Sequence, residues 1–371
     1  MNHKSTESKR QVVKDLLEGK RVERLLFIPN ALTISAAKYG YSIPEIISDP
    51  VKMAECVGGY REKIGYDGYC AGLAMEGYMS QIAGHLPDSD GNISGSGADT
   101  VHSAEDLDKL KPYNMASDRI LRNIAETVRL LREREPDEPI YVIFNNPAQT
   151  AMKLMGENSG YRAMRKDPQL FLKVMDYVEE DLIERCLYLW ELGLDYLWEP
   201  IPCFSRNCIS RTLYEQLIYR NNARFNQRLV DKGVKIVIHT CGKFGDRYDL
   251  VRQEYGCGWH IAVSDTRMMV ETYGDEVAII GNLDCIADIL ERSSESLYER
   301  AVQDAMAGAP SGRFILSSDC DISPKTSDEN MRAIVRAARD VQKKLDAEGW
   351  HYTDSKKAMV NKELIINYRS N

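Results

Sequence analysis

Three side chains in this sequence have the makings of a metal site: His239, Cys241 and, much further along, Cys320. Residues two apart on an extended segment point to one face, so His239 and Cys241 can converge on a single atom. The run before them, Val234-Lys235-Ile236-Val237-Ile238, is largely apolar and β-branched, and reads as a buried strand ending in these two ligands. A second such run, Arg313-Phe314-Ile315-Leu316, delivers Cys320 just past its C-terminal end. One imidazole and two thiols form a borderline-soft donor set that suits Zn²⁺, and three protein ligands leave a fourth position for a substrate. A lone cysteine at a strand end is usually packing. The His-x-Cys pair after one strand, with a further Cys after another, is what points to zinc.

The elements that must position these residues follow a regular alternation. Strands are expected at 25–29, 66–70, 140–144, 195–199, 235–239, 258–263, 276–280 and 313–317. Helices are expected at 8–18, 43–64, 117–134, 167–192, 212–232, 246–255, 266–273, 294–308 and 327–347. Eight apolar strands, each followed by a helix or loop, are the pattern of a single (β/α)8 TIM barrel. A doubly wound open sheet is the competing architecture, but no Gly-x-Gly-x-x-Gly or Walker-type loop follows any strand. Residues 1–20 read as an N-terminal helical extension, 21–350 as the barrel domain, 85–116 as a Gly- and Ser-rich insertion over one face, and 351–371 as a polar tail.

Barrel chemistry gathers at the C-terminal ends of the strands. There the sequence offers Asn30, Asn145-Asn146-Pro147, Glu199-Pro200, His239-Thr240-Cys241-Gly242, Ser264-Asp265, Gly281-Asn282-Leu283-Asp284 and Asp319-Cys320. Cys257 falls before a strand, at the opposite end, and reads as packing. His260 and His85 read as structural.

The 371 residues carry a net charge of −8 with both signs interleaved, so no basic stripe invites nucleic acid or an anionic membrane. The apolar runs are strand-sized, which excludes a membrane span, and the polar N-terminus argues against secretion. Nine singly spread cysteines do not make a disulfide framework, and a reducing cytoplasm is the expected setting.

Several segments resemble the uroporphyrinogen decarboxylase superfamily, and in particular its zinc-dependent, corrinoid-linked methyltransferase branch. They are Ile238-His239-Thr240-Cys241-Gly242, Ile280-Gly281-Asn282-Leu283-Asp284, and the stretch from Ser318-Asp319-Cys320 to Lys325-Thr326. Asn146-Pro147-Ala148-Gln149-Thr150-Ala151 is similar to the family's Pro-Phe-Thr segment. The resemblance spans roughly residues 20–347, and the His-x-Cys with a distant Cys is its branch-specific part. Two departures matter. The first strand runs into Pro29-Asn30-Ala31-Leu32-Thr33 with no arginine, so the cationic clamp that the decarboxylase proper uses for porphyrinogen carboxylates is missing. Asn145-Asn146-Pro147 and Trp198-Glu199-Pro200-Ile201 also differ from the coenzyme M enzymes, so the small substrate can differ.

The resemblance implies zinc on His239, Cys241 and Cys320, with a corrinoid (cobalamin) brought by a partner corrinoid-binding protein, since the sequence holds no Asp-x-His-x-x-Gly loop of its own. In one direction a zinc-bound thiol, as in coenzyme M methylation, takes the methyl group from cobalt. In the other, cobalt takes it from a small methylated substrate such as a methoxylated aromatic, as in O-demethylation, while zinc stabilises the leaving oxygen. The tyrosine-rich N-terminal half tilts the reading toward the second. Glu199 is the candidate fourth ligand of the resting enzyme. Asn146, Asn282 and Asp265 are candidate cofactor-binding residues. Asp265 and Asn282, together with Asp319, can also accept the second N–H of a ligating imidazole. The competing reading from another class is a metal-binding barrel without catalysis.

Overall fold

Apolar runs buried on both faces need helices on both sides of a parallel sheet or around a closed one. The computed structural model, which describes residues 7–84 and 99–349, shows the closed arrangement. Strands β1 (Tyr69–Leu73), β2 (Ile140–Ile143), β3 (Tyr196–Pro200), β4 (Ile236–Thr240), β5 (Gly258–Ile261), β6 (Ala278–Leu283) and β7 (Phe314–Ser318) pair in sequence order, each parallel to the next. Nearly every strand residue is buried.

The expected first strand is the main departure. It is reduced to two isolated parallel bridges, Phe27 to Leu316 and Asn30 to Asp321. Ile28 N donates to Leu316 O and Leu316 N to Leu26 O, both at 3.0 Å, while on the other side Asp67 N reaches Phe27 O at 2.7 Å. The segment therefore stands between β7 and the start of β1 as the eighth stave of a (β/α)8 barrel. Pro29 has no N–H to give, so a full ladder cannot run through it.

The second expected strand starts three residues late. Gly68 adopts a left-handed φ of +73°, and a Cβ there would press on Ile28 and Pro139 at 3.2–3.3 Å. The chain turns at this point and pairs only from Tyr69. The expected helix over 43–64 is two helices, Ile43–Ser48 and Pro50–Ile64. A residue before proline is pushed out of the helical region, and Asp49 instead caps the second helix through Val51 N and Lys52 N. The helix expected over 212–232 begins at Arg211 and passes through a π turn, Tyr214–Ile218. Helices Leu32–Lys38, Met75–Ala83, Pro147–Met155 and Glu157–Lys166 fill stretches where no helix was expected.

The helix Lys9–Leu17 is no loose extension. Val12, Val13 and Leu16 are fully buried, and Arg313, at the N-terminal end of β7, donates to Lys20 O at 2.9 Å and to Leu16 O. Of the expected insertion, 85–98 lies outside the described residues, as does the tail 351–371. Thr100 and Val101 donate to Leu154 O, which holds the described remainder against the helix Pro147–Met155.

Candidate metal centre

His239 sits near the end of β4, in register with Pro200 of β3 and His260 of β5. Strand alternation alone does not bring Cys241 to it. Cys241 N donates to His239 O at 3.0 Å, closing a three-residue turn around Thr240. Gly242 follows with φ +99°, a conformation open to glycine, and carries the chain away. Cys320 arrives two residues past β7, where Asp319 N donates to Leu283 O and Ile322 N to Asn30 O. The ligand atoms of His239, Cys241 and Cys320 all lie within 4.8 Å of one another.

The donor set fits zinc on a structural observation. His239 is 1 % exposed, and its Nε2 is buried without a hydrogen-bond partner. Such an orphan costs about 1–3 kcal/mol unless something binds it. A hydrogen bond between the two sulfurs holds the Cys320 thiol well below its usual range, with the neighbouring His239 adding to the effect. The same contact, with burial, pushes the Cys241 thiol up. The other ring edge of His239 faces His260, and Trp198 stacks on the imidazole at 4.4 Å and 18°. Burial, with His239 alongside, drives the His260 pKa well below 6.5.

These ligands border a cavity of about 530 Å³. Leu73, Met75, Ile143, Met152 and Trp198 give it apolar walls. Asn30 Oδ1 and Gln149 Oε1, both at 5 % residue exposure, line it with no internal hydrogen-bond donor. Lys153 is the single cation in the lining among the described residues, and burial lowers its pKa. The sequence reading missed Trp198 and Gln149. Strand parity in β3 could have found the tryptophan, because it shares its face with Pro200, the register partner of His239.

Other expected site residues do not join them. Glu199 is in register with Ile238, on the strand face opposite Trp198 and Pro200. Its carboxylate is fully buried and accepts from Asn146 Nδ2 at 2.5 Å and Asn226 Nδ2 at 2.9 Å, so the expected fourth ligand points away from the sulfurs. Asn146 caps the helix Pro147–Met155 through Gln149 N, and its neighbour Asn145 is the one that lines the cavity. Asn282, expected after a strand, lies within β6, where its N–H donates to Asp304 and its amide to Ser264 O. Asp265 is exposed and caps the helix Thr266–Tyr273. Asp319 accepts from Cys285 N at 2.9 Å rather than from His239. Its group with Asp284 and Cys285 also clusters within 4.8 Å, but Asp284 already accepts from Ile286 N and Ala287 N as a turn cap. Cys257 donates to Ile236 O, at the N-terminal end of β4, as expected for packing.

Burial raises Glu199 from 4.5 to about 7, against the pull of its two amide donors. A raised carboxyl pKa means that the folded chain keeps a proton the unfolded chain loses, so stability falls as pH rises from about 4.5 to 7. Glu254, raised to about 8, acts in the same sense. Glu199→Gln should therefore flatten the loss of melting temperature between pH 5 and 8, removing roughly 3 kcal/mol of pH dependence. An unchanged pH–Tm curve would contradict this account of the network.

A model of the uroporphyrinogen decarboxylase (URO-D) family matches residues 8–341. The methylcobamide:CoM methyltransferase MtaA of Methanosarcina barkeri strain Fusaro is 23% identical over 340 residues, 87% of this chain and 95% of that protein. Another M. barkeri MtaA is 25% identical over 223 residues, 58% of this chain and 62% of its own length. Among solved structures, a methyltransferase from Methanosarcina mazei superposes with a TM-score of 0.72 at 19% identity, covering 90% of this chain and 99% of that one.

Proposed function

The chain belongs to the uroporphyrinogen decarboxylase family, and from that premise we propose that it is a corrinoid-dependent methyltransferase. It moves a methyl group between a small methylated substrate and the cobalt of a separate corrinoid-binding protein. His239, Cys241 and Cys320 hold the zinc. The observation that carries this reading is the orphaned Nε2 of His239 within 4.8 Å of the Cys241 and Cys320 sulfurs, all three bordering one cavity. Relatives named as methylcobamide methyltransferases support the same reading.

Zinc there supplies Lewis acidity, lowering the pKa of a bound thiol or stabilising a departing oxygen. The chain's own residues do the rest. Trp198 and the aliphatic wall exclude water and offer a flat apolar surface to a substrate ring. Asn30 Oδ1 and Gln149 Oε1 offer acceptors to substrate N–H or O–H groups. With Lys153 as its one lining cation, the cavity does not suit a tetrapyrrole bearing many carboxylates. These features favour a methoxylated aromatic as methyl donor over the thiol of a coenzyme M-like acceptor. Thr100 and Val101 rest on the helix Pro147–Met155, whose Gln149, Met152 and Lys153 line the cavity. No helix among the described residues is long and apolar enough to cross a membrane, and the proposed setting is the cytoplasm.

Two mixtures test the direction of transfer, each with the zinc-loaded chain and its corrinoid protein. Co(I) corrinoid with methoxylated aromatics should yield methyl-Co(III), read from the visible spectrum. Methyl-Co(III) with a thiol should stay unchanged. Activity in the second mixture alone would make the protein a thiol methyltransferase, and silence in both would leave a metal-binding barrel without catalysis.

A further inference from the structure

His260 lies directly across from His239 in the β4–β5 register, with the two Nδ1 atoms 2.7 Å apart. We propose that His260, itself oriented by Ser317, is a positioning residue that locks His239 in the tautomer presenting Nε2 to the metal. This rests on reading His239, Cys241 and Cys320 as zinc ligands.

The placement of hydrogens along one chain of contacts decides the tautomer. Two ring nitrogens at 2.7 Å share a single hydrogen, because two N–H groups would clash and two lone pairs would repel. Which ring owns that hydrogen is decided at the far end. Ser317 Oγ lies 2.7 Å from the Ile28 carbonyl oxygen and 3.1 Å from His260 Nε2. A carbonyl can only accept, so the shorter contact commits the serine O–H to Ile28. Ser317 Oγ then has lone pairs alone to offer His260, whose Nε2 must carry a hydrogen and donate it. A neutral imidazole with its hydrogen on Nε2 presents a lone pair at Nδ1. His239 Nδ1 therefore donates to His260, with the His260 carbonyl oxygen at 3.2 Å as a weaker second acceptor. The remaining nitrogen of His239, Nε2, is left with its lone pair free. That is the atom found buried and unpartnered beside the two sulfurs. The reverse order would take the Ser317 O–H from the nearer acceptor and put a hydrogen on the metal-facing nitrogen.

The chain of contacts also fixes geometry. Trp198 stacks on one ring and meets the other edge-on at 5.5 Å and 65°, so neither imidazole can rotate freely. The relay ends on Ile28, in the stave that closes the barrel, which couples the ligand's orientation to that closure.

The test compares His260→Leu, His260→Asn and Ser317→Ala by zinc affinity in competition with a chelator, and by nitrogen-15 spectra of the zinc-free chain. His260→Leu should weaken zinc roughly 10–100-fold, the usual range for a lost imidazole partner. His260→Asn places an acceptor oxygen where Nδ1 stood and should recover most of that affinity. A packing role would give leucine and asparagine equal losses. In the parent chain the spectra should show His239 with hydrogen on Nδ1, and in His260→Leu and Ser317→Ala a mixture of tautomers. His239 found with hydrogen on Nε2 in the parent, or zinc affinity unchanged in His260→Leu, overturns the proposal. A parent chain that binds no zinc overturns the metal reading instead, and the spectra then still decide the tautomer.

Discussion

Cys241→Ala and Cys320→Ala should each strip the zinc from the purified chain and cut methyl transfer by about a thousandfold or more. A metal that contributes several kcal/mol to the transition state sets that scale. The fold should survive, with near-native circular dichroism, because both cysteines lie beyond the ends of β4 and β7, outside the strands whose burial builds the core. A barrel of this size does not need a metal staple to fold. Cys285→Ala is the matched control: its sulfur groups with Asp284 and Asp319, not with the three ligands. Full zinc retention in both cysteine variants, measured by elemental analysis, would sink the ligand assignment. Zinc loss in Cys285→Ala would move the site toward β6.

What the sequence could and could not reveal follows from the range of each signal. The three candidate ligands, which the fold brings within 4.8 Å of one another, were legible because residue type and the apolar run before each one are local facts. The alternation of strand and helix was legible for the same reason, and the seven strands of the sheet fall close to their expected places. Facing was not legible. A strand read one residue out of phase turns every side chain to the other side: Glu199 is expected at the cavity, yet its neighbour Trp198 lines it, while Asn146, past the end of β2, turns to cap a helix and leaves Asn145 to line the cavity. The role of His260 depends on the register between β4 and β5, a relation between segments that neither segment encodes alone. The closing stave fails as a strand through Pro29, a local signal that the apolar run around it outweighed.

Arg185→Met should destabilise the fold by about 3–5 kcal/mol, the cost of leaving a buried charge without its partner. Arg185 is 2 % exposed and Asp118 1 %, and the two form an ion pair between the helix Pro168–Glu191 and the N-cap of the helix Arg119–Arg134. The guanidinium also donates to the Ala74 carbonyl at the end of β1 and lies over the rings of Tyr113 at 5.1 Å and Tyr78 at 5.6 Å. Asp118 meanwhile caps its helix through Ile120 N and Leu121 N, both at 3.0 Å. Methionine keeps most of the apolar stem but leaves the Asp118 carboxylate in a pocket with no cation. For a chain of this length the expected loss is about 4–6 °C in Tm. Adding Asp118→Asn should recover part of it, because the amide still caps the helix and carries no charge. A loss below about 1 kcal/mol would place the pair among ordinary surface bridges. Zinc affinity should hold in Arg185→Met, since none of its contacts reaches the three ligands. Methyl transfer should fall modestly all the same, because the Ala74 carbonyl it releases immediately precedes Met75, a wall of the cavity.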